Sequence, residues 1–224
     1  MSDVAAPAPL TAIVVLAAGE GARFGDAKQL AVLDAPPLGR APLLAHALDA
    51  ARRSGVGPVL CVLGARADRI RAIVPDEVEV VLNERWHEGL SASLRRAVRV
   101  LADRAPLDAL LVGLGDQPLQ SPEAYRRVHA AHADLGADPT SAVIATFGGR
   151  RGHPVLLPRA LWAEVAELRG DVGARDLLRR HHVVEVPCDD LGDAADVDTP
   201  TDLASLVARV GTLDPGTGLG PARP

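Results

Sequence analysis

The sequence predicts an α/β fold: a mostly parallel sheet covered by helices on both faces, three layers in all. Three observations carry this. Short β-branched and apolar runs alternate with stretches of helical periodicity. Several of those runs are apolar at every position, as strands buried on both faces require. A chain of 224 residues, 48% hydrophobic but only 2% aromatic, can bury one sizeable core of Ala, Val and Leu. Alternating β and α elements build parallel sheets through right-handed crossovers, and ligands then gather at the carboxyl ends of the strands.

In chain order, residues 11–17 (TAIVVLA), 58–64 (PVLCVLG), 78–83 (VEVVLN) and 108–115 (DALLVGLG) read as strands bounded by Gly, Pro, Asn or Asp. Residues 43–53, 91–103 and 122–133 repeat apolar positions at helical spacing and read as helices. Residues 141–147 (SAVIATF) read as a further strand, and GGRRGHPVLLP (148–158) as a turn followed by another. Two short helices, a strand at 182–187 (HVVEVP) and a last helix from about Pro200 complete the pattern. The ends, 1–10 and 211–224, are rich in Pro or Gly without apolar periodicity, so they are expected to be mobile tails around a single domain over 11–210.

Composition narrows the function. A formal net charge of -5 and the absence of a long basic run argue against nucleic-acid binding and favour small-molecule partners. Cys61 and Cys188 form no C-x-x-C pair, so neither a disulfide framework nor a zinc site is expected, and a reducing cytoplasm is the simplest setting. The N-terminal MSDVAAPAPL lacks the regions of a signal peptide, and no apolar run approaches the ~18 to 20 residues that span a bilayer. A soluble chain with no membrane partner is the expectation.

The loop after the first strand, LAAGEGARFGDAKQL (16–30), has the glycine density of a phosphate-binding turn. It matches neither common fingerprint: Phe24 stands where a dinucleotide turn needs its third glycine, and Lys28 follows Gly25 too late for a Walker loop. A nicotinamide enzyme, with Arg66 facing a 2′-phosphate, stays open as an alternative. What survives is the common physics of both motifs, backbone amides that approach phosphate closely with Arg23 and Lys28 adding positive charge. Lys28 is the chain's one lysine amid many arginines, and an ammonium suits a point contact to phosphate.

L-A-A-G-x-G-x-R-x-G-x-x-K-x-L resembles the signature of the MobA-like NTP transferase family, and in particular its molybdenum cofactor cytidylyltransferase branch. Five further blocks follow in the family's order: N-x-x-W-x-x-G-L-x-x-S-L at 83–94, G-D-Q-P at 115–118, G-H-P at 152–154, G-D-x-G-A-R at 170–175 and D-V-D-T-P at 196–200. The resemblance covers roughly residues 11–207 and implies a Rossmann-like nucleotidyltransferase fold. It also implies transfer of a nucleoside monophosphate, CMP from CTP, onto a phosphorylated acceptor, molybdopterin, with release of pyrophosphate. Ala18 in L-A-A-G, where the guanylyl branch has L-A-G-G, points by the same resemblance to a pyrimidine.

Such transfer is mainly a matter of neutralising and aligning phosphates. Asp116, directly after a strand, suits a Mg²⁺ ligand, with Mn²⁺ as an alternative ion. Asp198 is the candidate second ligand ahead of Asp196, on the expectation that the two acids of D-V-D face different ways. Asp116 could instead merely end its strand, and Asp198 could cap the helix after Pro200. Arg23 and Lys28 are the candidate catalytic charges. Leu16, Ala17, Ala18, Gly19 and Gly21 would hold the nucleotide. Through the resemblance alone, Gly89 and Ser93 join them, and Gly152, His153, Gly173 and Arg175 would line the acceptor pocket. A molybdenum hydroxylase or maturation protein is the implied protein partner. A guanylyl or sugar-phosphate transferase of the same fold, and a non-catalytic protein that delivers a cofactor to such hydroxylases, are the alternatives.

Overall fold

A computed structural model describes residues 10–35, 38–104, 107–135 and 140–210. The strand β1 (Thr11–Ala17) is followed by a hairpin of β2 (Val32–Ala35) and β3 (Gly39–Pro42), then α1 (Leu43–Arg53), β4 (Val59–Leu63), α2 (Ala67–Arg71) and β5 (Glu79–Leu82). Next come α3 (Leu90–Ala102), β6 (Ala109–Leu114), α4 (Pro122–Asp134), β7 (Ala142–Phe147) and β8 (Arg150–Pro158). The chain continues through α5 (Trp162–Val165), α6 (Arg175–Leu178), β9 (Val183–Pro187) and α7 (Pro200–Val210). Seven strands form one sheet in the order β5-β4-β1-β6-β8-β7-β9. Only β8 runs antiparallel, to β6 on one side and β7 on the other.

The expected alternation is visible along β1, which is buried throughout. Ile13, Val15 and Ala17 pack on one face with Leu44, Ala47 and Leu48 of α1 and Ala124, Tyr125 and Val128 of α4. Ala12, Val14 and Leu16 pack on the other with Leu94, Ala97 and Leu101 of α3 and with Trp162, Val165 and Leu177. Side chains two apart share a face of a strand, so a continuously apolar strand feeds two cores at once. Each fully buried Leu, Ile or Val contributes about 1.5–3 kcal/mol.

β1 pairs with β4 on one side and β6 on the other, and α1 and α3 cover opposite faces. The crossovers therefore diverge at β1 and β6, leaving a crevice beyond their carboxyl ends where the sheet itself leaves room for a ligand. The hairpin β2–β3 was not expected from the sequence, because its two four-residue strands lie in a stretch rich in Pro and Gly. It packs through Leu33 against Leu119, Val197, Leu206 and Val210, a small third core that seats α7 beside the crevice. The expected tails lie outside the described residues apart from Leu10, whose N–H donates to Asp108 Oδ2 (2.9 Å) and whose carbonyl accepts from the Asp108 N–H (2.7 Å). No helix among the described residues is long and apolar enough to cross a membrane.

Candidate active site

Leu16 and Ala17 end β1, and Ala18, Gly19 and Gly21 open the loop that follows. The loop is held from below by Gln29, whose Nε2 donates to the carbonyls of Ala17 (3.0 Å) and Gly19 (2.8 Å). It is held from the side by a two-toothed pair between Arg69 and Asp26, at 2.8 and 3.1 Å, which brings the Asp26 carboxyl down to about 2. Arg66, the sequence candidate for a 2′-phosphate, donates instead to the Glu20 carbonyl (2.8 Å) and so belongs to the same scaffold. Gly21 has φ +71, and a Cβ there would stand 2.6 Å from the Asp26 carbonyl oxygen, so glycine is needed for the loop to close on itself. A Cβ on Gly19 would meet nothing within 4 Å, so its face is the open one.

Asp116 follows β6 after Gly115, and its carbonyl accepts from the Val197 N–H (3.0 Å). This one hydrogen bond lays the D-V-D segment against the end of β6. Val197 is buried in the third core, and the aspartates on either side of it diverge. Asp198 faces Lys28 and Arg23, whereas Asp196 accepts from Gln117 Nε2 (2.7 Å). Burial, then the neighbouring charge of Asp116, pushes the Asp196 carboxyl up against the opposing Gln117 hydrogen bond.

Lys28 Nζ reaches Asp116 Oδ2 at 2.6 Å and Asp198 Oδ1 at 2.7 Å, and Arg23 Nη2 reaches the other oxygen of Asp198 at 2.8 Å. Burial disfavours the Lys28 charge, but Asp116 and Asp198 together outweigh it and raise its basicity above the ordinary value. Residues spread over 175 positions of sequence thus form one ion cluster. The alternative reading of Asp198, as the cap of α7, is not what the structure shows. Thr199 Oγ1 accepts from the Asp202 N–H (3.1 Å) and Asp202 Oδ2 accepts from the Thr199 N–H (2.7 Å), a reciprocal cap that leaves the Asp198 carboxylate to the cluster.

Two adjoining cavities open here. The smaller, about 480 Å³, is lined by the 16–23 loop, Lys28, Trp86, Gly89, Ser93, Asp116 and Asp198. Its far wall is built by α3: Gly89 turns the chain, and the buried Ser93 hydroxyl accepts from Asn83 Nδ2 (3.1 Å). The larger, about 850 Å³, contains all four residues proposed for the acceptor, Gly152, His153, Gly173 and Arg175. Burial lowers the His153 imidazole to about 4 despite the opposing charge of Asp116, so it is neutral near pH 7. Sequence reasoning missed Gln29, Gln117 and Asp26, whose effect depends on where the folded chain brings their partners, and also Arg150 and Asp171 of the larger cavity. Asp171 lay inside a matched block, so a signal was present.

A crevice at a strand switch point, with two carboxylates gathered on a lysine and an arginine, fits an α/β nucleotidyltransferase. Residues 13–186 match the sequence profile of the MobA-like NTP transferase domain, and the chain belongs to that family. Among solved structures, Rv0371c from Mycobacterium tuberculosis H37Rv superposes with a TM-score of 0.76 at 32% identity, covering 91% of this chain and 100% of that one. The same protein has been solved in complex with manganese, at a TM-score of 0.70. A nucleotidyl transferase from Methanothermobacter thermautotroptrophicus superposes with a TM-score of 0.70 at 26% identity, covering 90% of this chain and 97% of that one. The bifunctional protein GlmU of Kineococcus radiotolerans is 35% identical over 154 residues, which is 67% of this chain but 30% of GlmU. The chain thus spans under a third of the length of such curated relatives.

Proposed function

We propose that this nucleotidyltransferase is metal-dependent and moves CMP from CTP onto a phosphorylated acceptor, molybdopterin in the first instance, releasing pyrophosphate. The observation that carries it is the Asp116–Lys28–Asp198 cluster at the junction of two cavities, one for each substrate. The donor set suits Mg²⁺ or Mn²⁺. Asp116 Oδ1 is buried with no hydrogen-bond partner, and Asp116 and Asp198 already share one cation in the Lys28 ammonium. No cluster of three or more His, Cys, Asp or Glu suited to a metal occurs among the described residues. Two carboxylates with phosphate oxygens are the usual way to hold Mg²⁺. When bound, the ion would neutralise triphosphate charge.

The chain's own groups supply the rest. The amides of 18–21 would receive the phosphates at the open face of Gly19, and Lys28 and Arg23 would follow charge onto the departing pyrophosphate. An acceptor phosphate is already an anion near neutral pH, so no general base is required, in keeping with a neutral His153 in the acceptor cavity. The manganese complex of Rv0371c supports the metal reading. The matches to GlmU support a second reading, a sugar-phosphate acceptor.

Pyrophosphate release measured across CTP, GTP, ATP and UTP, with molybdopterin and a panel of sugar phosphates, tests both. CTP with molybdopterin should be fastest, and Asp116→Ala should remain folded yet lose metal-dependent turnover. Near-normal release by folded Asp116→Ala would overturn the metal assignment.

A further inference from the structure

Four residues, Leu90, Leu114, Asp171 and Asp196, line both cavities and so form their common wall. Asp196 is oriented by Gln117. Asp171 is exposed and sits on the loop of the acceptor side, yet its side chain reaches across to the nucleotide side: Oδ1 accepts from the Leu90 N–H at 3.2 Å. Leu90 begins α3, a 13-residue helix whose N-cap, Gly89, has no side chain to offer. Asp171 therefore caps a helix 81 residues away in sequence.

The backbones fit as closely as the cap implies. Gly89 has φ +99, and a Cβ there would stand 2.5 Å from Asp171 Oδ1 and 2.6 Å from the Gly170 carbonyl carbon. A Cβ on Gly173 would stand 2.9 Å from Leu90 Cδ2. The two glycines, one assigned by sequence to each pocket, are thus opposite sides of a single contact. A second tie lies one helical turn on, where Arg95 Nη1 donates to the Leu168 carbonyl while Nη2 holds Glu88 at 2.8 Å. A bare carboxylate between two anion-binding cavities would repel both ligands, but the amino end of α3 offsets its charge. The capping bond gives a reason for an aspartate in this wall that direct ligand contact does not.

We propose that Asp171 is a latch: a positioning residue that ties the acceptor-side segment 168–175 to the nucleotide-side turn Gly89–Ser93. Filling the smaller cavity then orders the wall of the larger one before the acceptor arrives. This rests on the nucleotidyltransferase reading above and adds an order of events to it. The side chain is exposed and makes one hydrogen bond, so its replacement leaves the core untouched.

Hydrogen exchange of the full chain, with and without CTP and Mg²⁺, tests the latch without any acceptor. In the wild type, nucleotide should slow exchange at 16–28 and 89–93, and also at 168–175 by about fivefold or more, the lower end of ordinary coupling between sites. Asp171→Ala should keep the first effect and lose the second. Asp171→Asn, which retains an oxygen that can accept from Leu90, should restore it. Transmission to 168–175 in Asp171→Ala as in the wild type, its absence in the wild type, or failure of Asp171→Asn to restore it would each overturn the latch. Absence of slowing at 16–28 with CTP, GTP, ATP and UTP alike would instead overturn the nucleotide reading, a result visible in the wild type alone.

Discussion

Lys28 Nζ lies 2.6 Å from Asp116 Oδ2, and the same ammonium bridges to Asp198. Any divalent cation held by these two carboxylates must compete with it, because opposite charge is what the site already supplies. Lys28→Met should therefore bind Mn²⁺ more tightly than the wild type when no nucleotide is present, as read by electron paramagnetic resonance titration. The same variant should lower kcat by ~10²-fold or more, the scale on which loss of one preorganised charge stabiliser registers. Lys28→Arg should recover only part of the rate, since a planar fork replaces a point charge. Unchanged Mn²⁺ affinity in Lys28→Met would mean that the ammonium and the metal do not share these oxygens.

Gly19 and Gly21 should fail differently when given a side chain. A methyl at Gly21 meets the Asp26 carbonyl at 2.6 Å with φ held at +71, so Gly21→Ala should destabilise the loop, on the order of 1–3 kcal/mol. A methyl at Gly19 points into open space, so Gly19→Ala should melt as the wild type does but bind CTP more weakly. Melting curves and calorimetric titration with CTP separate the two, and wild-type CTP affinity in Gly19→Ala would place the phosphates elsewhere.

Base choice can be read from stability alone. CTP with Mg²⁺ should raise the melting temperature more than GTP at equal concentration, because a ligand that binds only the folded state stabilises it by mass action, about 2.7 kcal/mol at 100 times its Kd. A larger shift with GTP would move the chain to the guanylyl branch.

His153 should imprint a pH dependence on folding. Its imidazole is lowered by burial from 6.5 to about 4, so above pH 6.5 both folded and unfolded chains carry it neutral and it has no effect. As pH falls below 6.5 the unfolded chain takes up a proton that the folded chain refuses, and stability is lost progressively until about pH 4. Urea unfolding at pH 7 and pH 5 should show a smaller loss in His153→Gln than in the wild type. Equal losses would show that the imidazole is not held neutral in the folded protein.

Short β-branched and apolar runs and helical apolar periodicity determined, from sequence alone, the strands β1, β4, β5 and β6, the helices α1, α3 and α4, and the placement of Asp116 at a strand end. Those signals are local: a strand buried on both faces must be apolar throughout, whatever it packs against. The motif blocks likewise named Lys28, Asp116 and Asp198 as candidates, whereas the divergence of Asp196 and Asp198 about a buried Val197 was not legible, because residues two apart share a face in regular extended chain.

Tertiary structure decided how these pieces meet. That Lys28 bridges two carboxylates 88 and 170 residues away depends on β1 and β6 being neighbours and on one hydrogen bond from Val197 to Asp116. That Asp198 is free of capping depends on Thr199 and Asp202 capping each other. The hairpin β2–β3 forms in a weakly patterned stretch because α7 and Leu119 cover Leu33. Asp171 reads as an ordinary loop acid until the fold brings Leu90 beside it. Local periodicity reports the surface each element must bury, whereas a hydrogen bond or ion pair between distant residues exists only once packing has fixed which surfaces face each other.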